Sequence, residues 1–221
     1  TFAPGNELYS LFGHTGIRII DDANRLDIVF NYGTFDFDTQ GFYLKFAQGL
    51  LPYQLSCSDY DRLEAVYRME ERSIYSQTLN LDSIQKQRLM DLLLENYRPQ
   101  NRSYLYNFLY DNCSTRVRDI LEKGMNDNIT WAAQPSEKSL WNLLDEYLCR
   151  SPWTQWGIHT ILGSPATVTA TIREQMFLPD YLMFRLDSAV YNGSPVAQPI
   201  EVLYQSPEHD FGTPWYLSPF F

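Results

Sequence analysis

The sequence predicts an α+β fold, and three observations predict it. Residues 16–38 hold short runs of β-branched and aromatic residues with period-two alternation. From residue 58 the apolar period becomes helical. Turn-forming clusters separate these segments and no linker interrupts them, so a small antiparallel sheet packed on helices is expected rather than separate folding units. The 221 residues with 44% hydrophobic content suffice for a sizeable core. The expected organisation is a single domain over 1–221, with a core at 1–124, a helical insertion at about 58–101 and a mainly helical extension at 125–221.

The elements follow in order. GIRII (16–20) and LDIVFNYG (26–33) read as two strands of a hairpin, joined by a loop of about five residues, DDANR. TFDFD continues the alternation, with Phe35 and Phe37 on one face and Asp36 and Asp38 on the other. SDYDRLEAVYRMEERSIYSQ places Leu63, Val66, Tyr67 and Ile74 at helical spacing. Asp82 and Gln85 form a capping-box pattern, Leu89, Leu92 and Leu93 make a core stripe, and RPQN ends that helix. In SYLYNFLYDNCSTRVRDILEKG the aromatics alternate up to Asn112, a good N-cap, and Gly124 is a natural stop. Further on, SEKSLWNLLDEYL is expected as a helix capped by Ser136. SPATVTATIREQMF is expected as a helix broken at Pro179 before DYLMFRLDSAV, PIEVLYQ as a strand and GTPWYLSPFF as an aromatic end.

Charge narrows the function classes. Lys plus Arg minus Asp plus Glu is 17 − 27 = −10, which argues against a nucleic-acid footprint. No run of about 18 apolar residues occurs, so nothing in this stretch spans a bilayer. Three cysteines without a Cys-x-x-Cys pair, and three histidines, argue against a zinc centre; no metal and no cofactor is expected. Aromatics reach 15%, with 16 tyrosines, which suits a lined groove or a membrane-facing rim.

Cys113 would lie in the first turn of a helix, where the macrodipole and free backbone N–H groups favour thiolate. Arg116 and Arg118 lie near it in sequence. His14, after Gly13 and opening a strand, is the candidate base. Against this stands the ordinary role of each: a free cysteine is usually a small buried hydrophobe, and a lone histidine is usually structural. The orienting group is sought on the partner strand, whose polar positions are Asp27 and Asn31; Asn31 is the first choice and Asp36 the second. Cys57, in a loop-like SCSD, Cys149, His159 and His209 read as structural or surface residues.

Three blocks, GNELYSLFGHTGIRI, DIVFNYGTFDF and NRSYLYNFLYDNCSTRVRDIL, occur in that order. Together they resemble the periplasmic domain of the Lnb-type lipoprotein N-acyltransferases, from about Pro4 to Leu121 and more weakly to about Ala189. The resemblance implies a circularly permuted papain-like (NlpC/P60-type) fold for the core, with the histidine preceding the cysteine, here His14 before Cys113. It implies a Cys113 thioester formed with His14 as base, while the third residue stays open. The Cys113 backbone N–H with the Asn112 region would hold the oxyanion, with Arg116 in support. Tyr32, Tyr104, Tyr106 and Tyr110 would line an acyl groove or simply pack. The implied partners are a phospholipid acyl donor and a lipoprotein acceptor at the cell envelope, with a membrane segment expected after Phe221. Two alternatives remain: a cysteine peptidase or amidase acting on cell-wall peptides, and a non-catalytic binding module.

Overall fold

The computed structural model describes residues 1–35, 40, 41, 45, 50–133, 137–149 and 151–207. Asp36, Phe37, Asp38, Ser136, His209 and the aromatic end lie outside the described residues. The architecture is mixed, with small antiparallel sheets and helices.

The expected hairpin forms from β1 (Ile17–Asp21) and β2 (Leu26–Thr34), with Ile17 opposite Phe30 and Asp21 opposite Leu26. Asp21 joins the ladder, so the loop is 22–25, shorter than expected. β3 (Pro52–Asp59) pairs with β2, and β5 (Ser103–Leu105) with β3, giving an antiparallel sheet of order β1-β2-β3-β5. Strand β3 was not expected, and it moves Cys57 from a loop into a strand. Polar neighbours obscure its Tyr53, Leu55, Cys57 alternation, and pairing on both sides supplies what propensity does not.

Helix α1 (Tyr60–Met69) is shorter than the pattern suggests. Glu71 adopts φ +52° and turns the chain, so Ile74 lies in β4 (Ile74–Ser76), not in the helix, and Val66 faces solvent. The segment expected as a helical insertion therefore also contains strands. Helix α2 (Ser83–Tyr97) starts at the Asp82–Gln85 capping box and buries Leu89 and Leu93. Helix α3 (Cys113–Gly124) starts at Asn112 and packs on α2 and β2. Beyond it lie β6 (Ile129–Thr130), α4 (Leu140–Leu148) and α5 (Pro152–Leu162). Ser139, not Ser136, caps α4. A 3-10 turn (Ser164–Thr167) and short α6 (Ile172–Gln175) replace the expected long helix. Pro179 opens α7 (Pro179–Asp187) at its first position, where a missing N–H costs nothing. β7 (Val190–Tyr191) and β8 (Ser194–Pro195) join β6, and β9 (Glu201–Tyr204) pairs with β4. Among the described residues no helix is long and apolar enough to cross a membrane.

One core joins sheet and helices. Ile17, Phe30 and Leu55 pack with Leu93, Val117 and Leu121, and with Leu182 and Val196 from the extension. A second cluster, around Leu143, Leu144 and Phe177, reaches back to Phe12 and Phe108.

Asn112 ties these parts together. Its Oδ1 accepts from the Ser114 and Thr115 N–H groups, and its Nδ2 donates to the Phe108 and Phe177 carbonyls. Asn112→Ala would remove the cap and strand two carbonyls, at a cost of about 2–4 kcal/mol. Urea unfolding should show a lower midpoint at an unchanged slope; an unaltered midpoint would refute this accounting.

Candidate active site

His14 is fixed at its backbone before its ring is considered. It exchanges two hydrogen bonds with Phe2, at 2.8 and 2.9 Å. Gly13 before it adopts φ +76°, and a Cβ there would meet the Phe2 carbonyl oxygen at 2.8 Å, so the turn requires glycine. The imidazole stacks 6.0 Å from Phe2, which stacks 3.8 Å from Tyr67.

His14 Nε2 lies 2.7 Å from Asn31 Oδ1. The same oxygen accepts the Gly33 N–H at 2.7 Å. An oxygen facing a backbone donor cannot exchange places with the amide nitrogen without opposing two donors, so the assignment is settled by chemistry. Nε2 therefore carries the proton and Nδ1 is left as the acceptor. The register shift between Asn31 and Thr34 frees the Gly33 N–H for this bond. Of the two polar positions on β2, Asp27 is taken by Arg18 at 2.7 Å, and Asn31 meets the histidine.

Cys113 is the first residue of α3. The backbone amides of Thr15, Ser114 and Cys113 itself all favour its thiolate. Thr15 follows His14 directly, so the histidine segment and the helix start share this corner. Burial nevertheless dominates and pushes the thiol up to about 11. Burial also pushes His14 down to about 3, aided by Arg72 and opposed by the Asn31 hydrogen bond. At neutral pH the site thus holds a neutral thiol and a neutral imidazole.

This fixes a pH dependence. In a Cys57→Ser, Cys149→Ser background, alkylation of Cys113 by iodoacetamide should rise about tenfold per pH unit from pH 7 to beyond 9, following the thiolate fraction. A plateau below pH 8 would mean a resting thiolate–imidazolium pair instead.

The supporting residues expected from sequence divide. Asn112 is buried and its side chain is fully engaged as a cap, so it has no donor left for an oxyanion. Arg116 forms a two-point ion pair with Asp111 at 2.6 and 2.8 Å, and its guanidinium lies over the Tyr104 ring. Tyr32 is a core residue whose hydroxyl accepts from Asn96 at 2.8 Å. Tyr106 stacks on Tyr53 at 4.1 Å beside the thiol, and Tyr110 is 57% exposed. His159 stacks on Trp141 and lies 2.9 Å from Asp145. Among the described residues no three His, Cys, Asp or Glu side chains are placed to hold a metal ion.

Arg72 was missed. It is buried, donates from Nε to the Ala3 carbonyl at 2.8 Å, lies over Tyr67, and its charge lowers both Cys113 and His14. In MEERS it reads as one more charge on a solvated face, and no local signal marks it. Thr15 was missed because its contribution is a backbone amide.

No curated protein and no solved structure matches the chain. A family model described as the Lnb N-terminal periplasmic domain matches residues 1–147, two thirds of the 221 residues. The matched region contains His14, Asn31, Arg72 and Cys113. The family named on the three sequence blocks is thus found again by a whole-domain comparison, and the chain belongs to the Lnb N-terminal periplasmic domain family.

Proposed function

We propose that this chain is a thiol-dependent acyltransferase domain of the cell envelope, with a permuted papain-like core. It moves an acyl chain from phospholipid to the N-terminal amine of a lipoprotein. The observation that carries the reading is the corner itself: a histidine oriented by Asn31 through Nε2, followed by Thr15, whose backbone amide meets the thiol of a cysteine at a helix start together with two further amides. Family membership supports it.

In the first step the Cys113 thiol gives its proton to His14 Nδ1 and the sulfur attacks the ester carbonyl carbon. The C–S bond forms, the ester C–O bond breaks, and the departing lysophospholipid oxygen takes the proton from His14. The amides of Thr15 and Cys113 are the donors proposed for the oxyanion. In the second step the lipoprotein amine attacks the thioester. The C–N bond forms, the C–S bond breaks, and the proton returns to sulfur. A neutral resting pair suits a site that meets its substrate from an apolar phase, where a charged pair would be costly.

A charge of −10 repels anionic lipid at long range, so contact must be apolar. Helix α5 supports this: its PWTQWGIHTIL sequence carries no Asp, Glu, Lys or Arg, and Trp153 and Trp156 are 59% and 53% exposed.

Incubation with phospholipid vesicles followed by intact-protein mass measurement tests the proposal. A hydroxylamine-labile gain of one acyl chain, mapped to the Cys113 peptide, is expected. Cleavage of a cell-wall peptide with no such adduct would replace it with the amidase reading.

A further inference from the structure

Strand β1 is the end strand of its sheet, so one row of its backbone groups faces no neighbouring strand among the described residues. The register identifies that row. A Cβ on Gly16 would meet the Phe30 carbonyl oxygen at 2.9 Å, so this carbonyl is turned toward β1. Ile17, opposite Phe30, therefore bonds to β2, and antiparallel alternation makes Ile19 and Asp21 do the same. The N–H and C=O groups of Arg18 and Ile20 point the other way. None of these four groups has a backbone partner among the described residues. His14 keeps the same phase, with both of its backbone groups turned outward to Phe2.

The open row lines a recess. Residues 15–22 form one wall of a cavity and residues 74–79 the facing wall. Val117 and Leu121 of α3, with Leu182 and Leu186 of α7, give it an aliphatic floor. At one end Phe2 spans the gap, bridged to His14 on one side and to Ile74 on the other. The gap there is one strand wide, two spacings of about 4.8 Å. In the facing wall Gln77 Nε2 is buried with no hydrogen-bond partner. Unpaired ladder groups on one side and a buried amide donor on the other require carbonyls and N–H groups set along a line. An extended backbone supplies these and an acyl chain does not. The Thr15 amide meets the Cys113 thiol from the opposite edge of this stretch, so the recess is separate from the reacting pair.

We infer that this recess docks an extended polypeptide segment of another molecule, which adds a strand to β1. A gap one strand wide admits a lone segment and not the edge of a second folded sheet. Alternate side chains of the bound segment face the aliphatic floor, so apolar residues are favoured at every second position. The five residues of β1 set the paired length at about 17 Å. Docking here does not depend on the acyl-transfer reading of Cys113.

The probe is the peptide acetyl-Lys-Val-Thr-Val-Thr-Val-Lys-amide, added at millimolar concentration to the whole chain. Hydrogen exchange at the Arg18 and Ile20 amides should slow about tenfold or more, while Ile17 and Ile19, already in the ladder, change little. Ile20→Pro removes one outward N–H and leaves the β1–β2 bonds, so peptide binding should weaken about tenfold. Ile20→Thr keeps that N–H at a position 60% exposed and should bind as the parent does. Circular dichroism identifies a proline variant that fails to fold. The peptide N-methylated at its five central residues, which keeps the side chains and removes the donors, gives the same test on the unaltered protein and should bind at least tenfold more weakly. Equal binding of the two peptides, or unchanged exchange at Arg18 and Ile20, would overturn the inference. Protection of those amides in the peptide-free protein that rises with protein concentration would also overturn it, by assigning the edge to a second copy of this chain.

Discussion

Cys113→Ala is expected to lower acyl transfer by about four orders of magnitude or more, with the fold intact. In the proposed mechanism Cys113 carries the acyl group covalently between the ester oxygen and the acceptor nitrogen. No other thiol can substitute. Cys57 lies within β3 opposite Phe30 of β2, and Cys149 sits at the C-terminal cap of α4, where the helix dipole opposes thiolate. The stability cost is small because alanine removes only the sulfur and keeps the helix start, whose cap is Asn112 rather than Cys113. Thermal unfolding should therefore shift by a few degrees at most. His14→Gln should fall almost as far near neutral pH, because the buried thiol, pushed up to about 11, loses the group that takes its proton. The His14→Gln loss should shrink as pH rises toward 10, where hydroxide makes thiolate unaided. The Cys113→Ala loss should not shrink at any pH. Two variants with parallel pH profiles would show that His14 is not the base. Retained transfer in Cys113→Ala would remove the thioester from the mechanism.

Much of this site was legible because its parts have local signatures. Asn112 as a cap, Cys113 as the first helical residue and His14 after a turning glycine are all short-range patterns, and α3 and the hairpin formed where those patterns placed them. Asn31 was legible through the pairing rule that sets partner strands opposite each other. The failures share a different cause. Strand β3 exists because β2 and β5 pair with it, and the run MEERSIYS leaves its helix because β4 pairs with β9 across 125 to 127 residues (Tyr75 with Val202, Ser76 with Glu201). Such contacts have no trace within a helical or strand-sized window. Arg72 is the sharpest case. A charge is expected at the surface unless paired, and here Ala3, Glu70 and the Tyr67 face together admit it to the interior. The same long-range closure makes its charge felt by both Cys113 and His14.

Gly33→Ala carries this argument to a residue that no catalytic pattern would select. A Cβ at Gly33 would stand 2.6 Å from His14 Cε1, 3.1 Å from Nδ1 and 3.2 Å from Asn31 Oδ1. Real carbon contacts of 2.6 Å do not occur, so something must move, and the atom in the way belongs to the imidazole ring. The backbone at Gly33 lies within β2 and not in the left-handed region, so alanine is conformationally acceptable there. The strain therefore falls on the histidine, whose ring must turn or shift and give up its 2.7 Å bond to Asn31. A displacement of about 1 Å at a reacting group costs on the order of 100-fold in rate. The overpacking costs about 1–3 kcal/mol in stability. The expected signature is a fall in kcat with KM little changed, because the strain falls on the imidazole ring. Alkylation of Cys113 at pH 10 should proceed at the parental rate, since hydroxide then replaces His14. Activity within threefold of wild type would show that His14 can move without consequence, and that its contact with Asn31 does not hold the base in place.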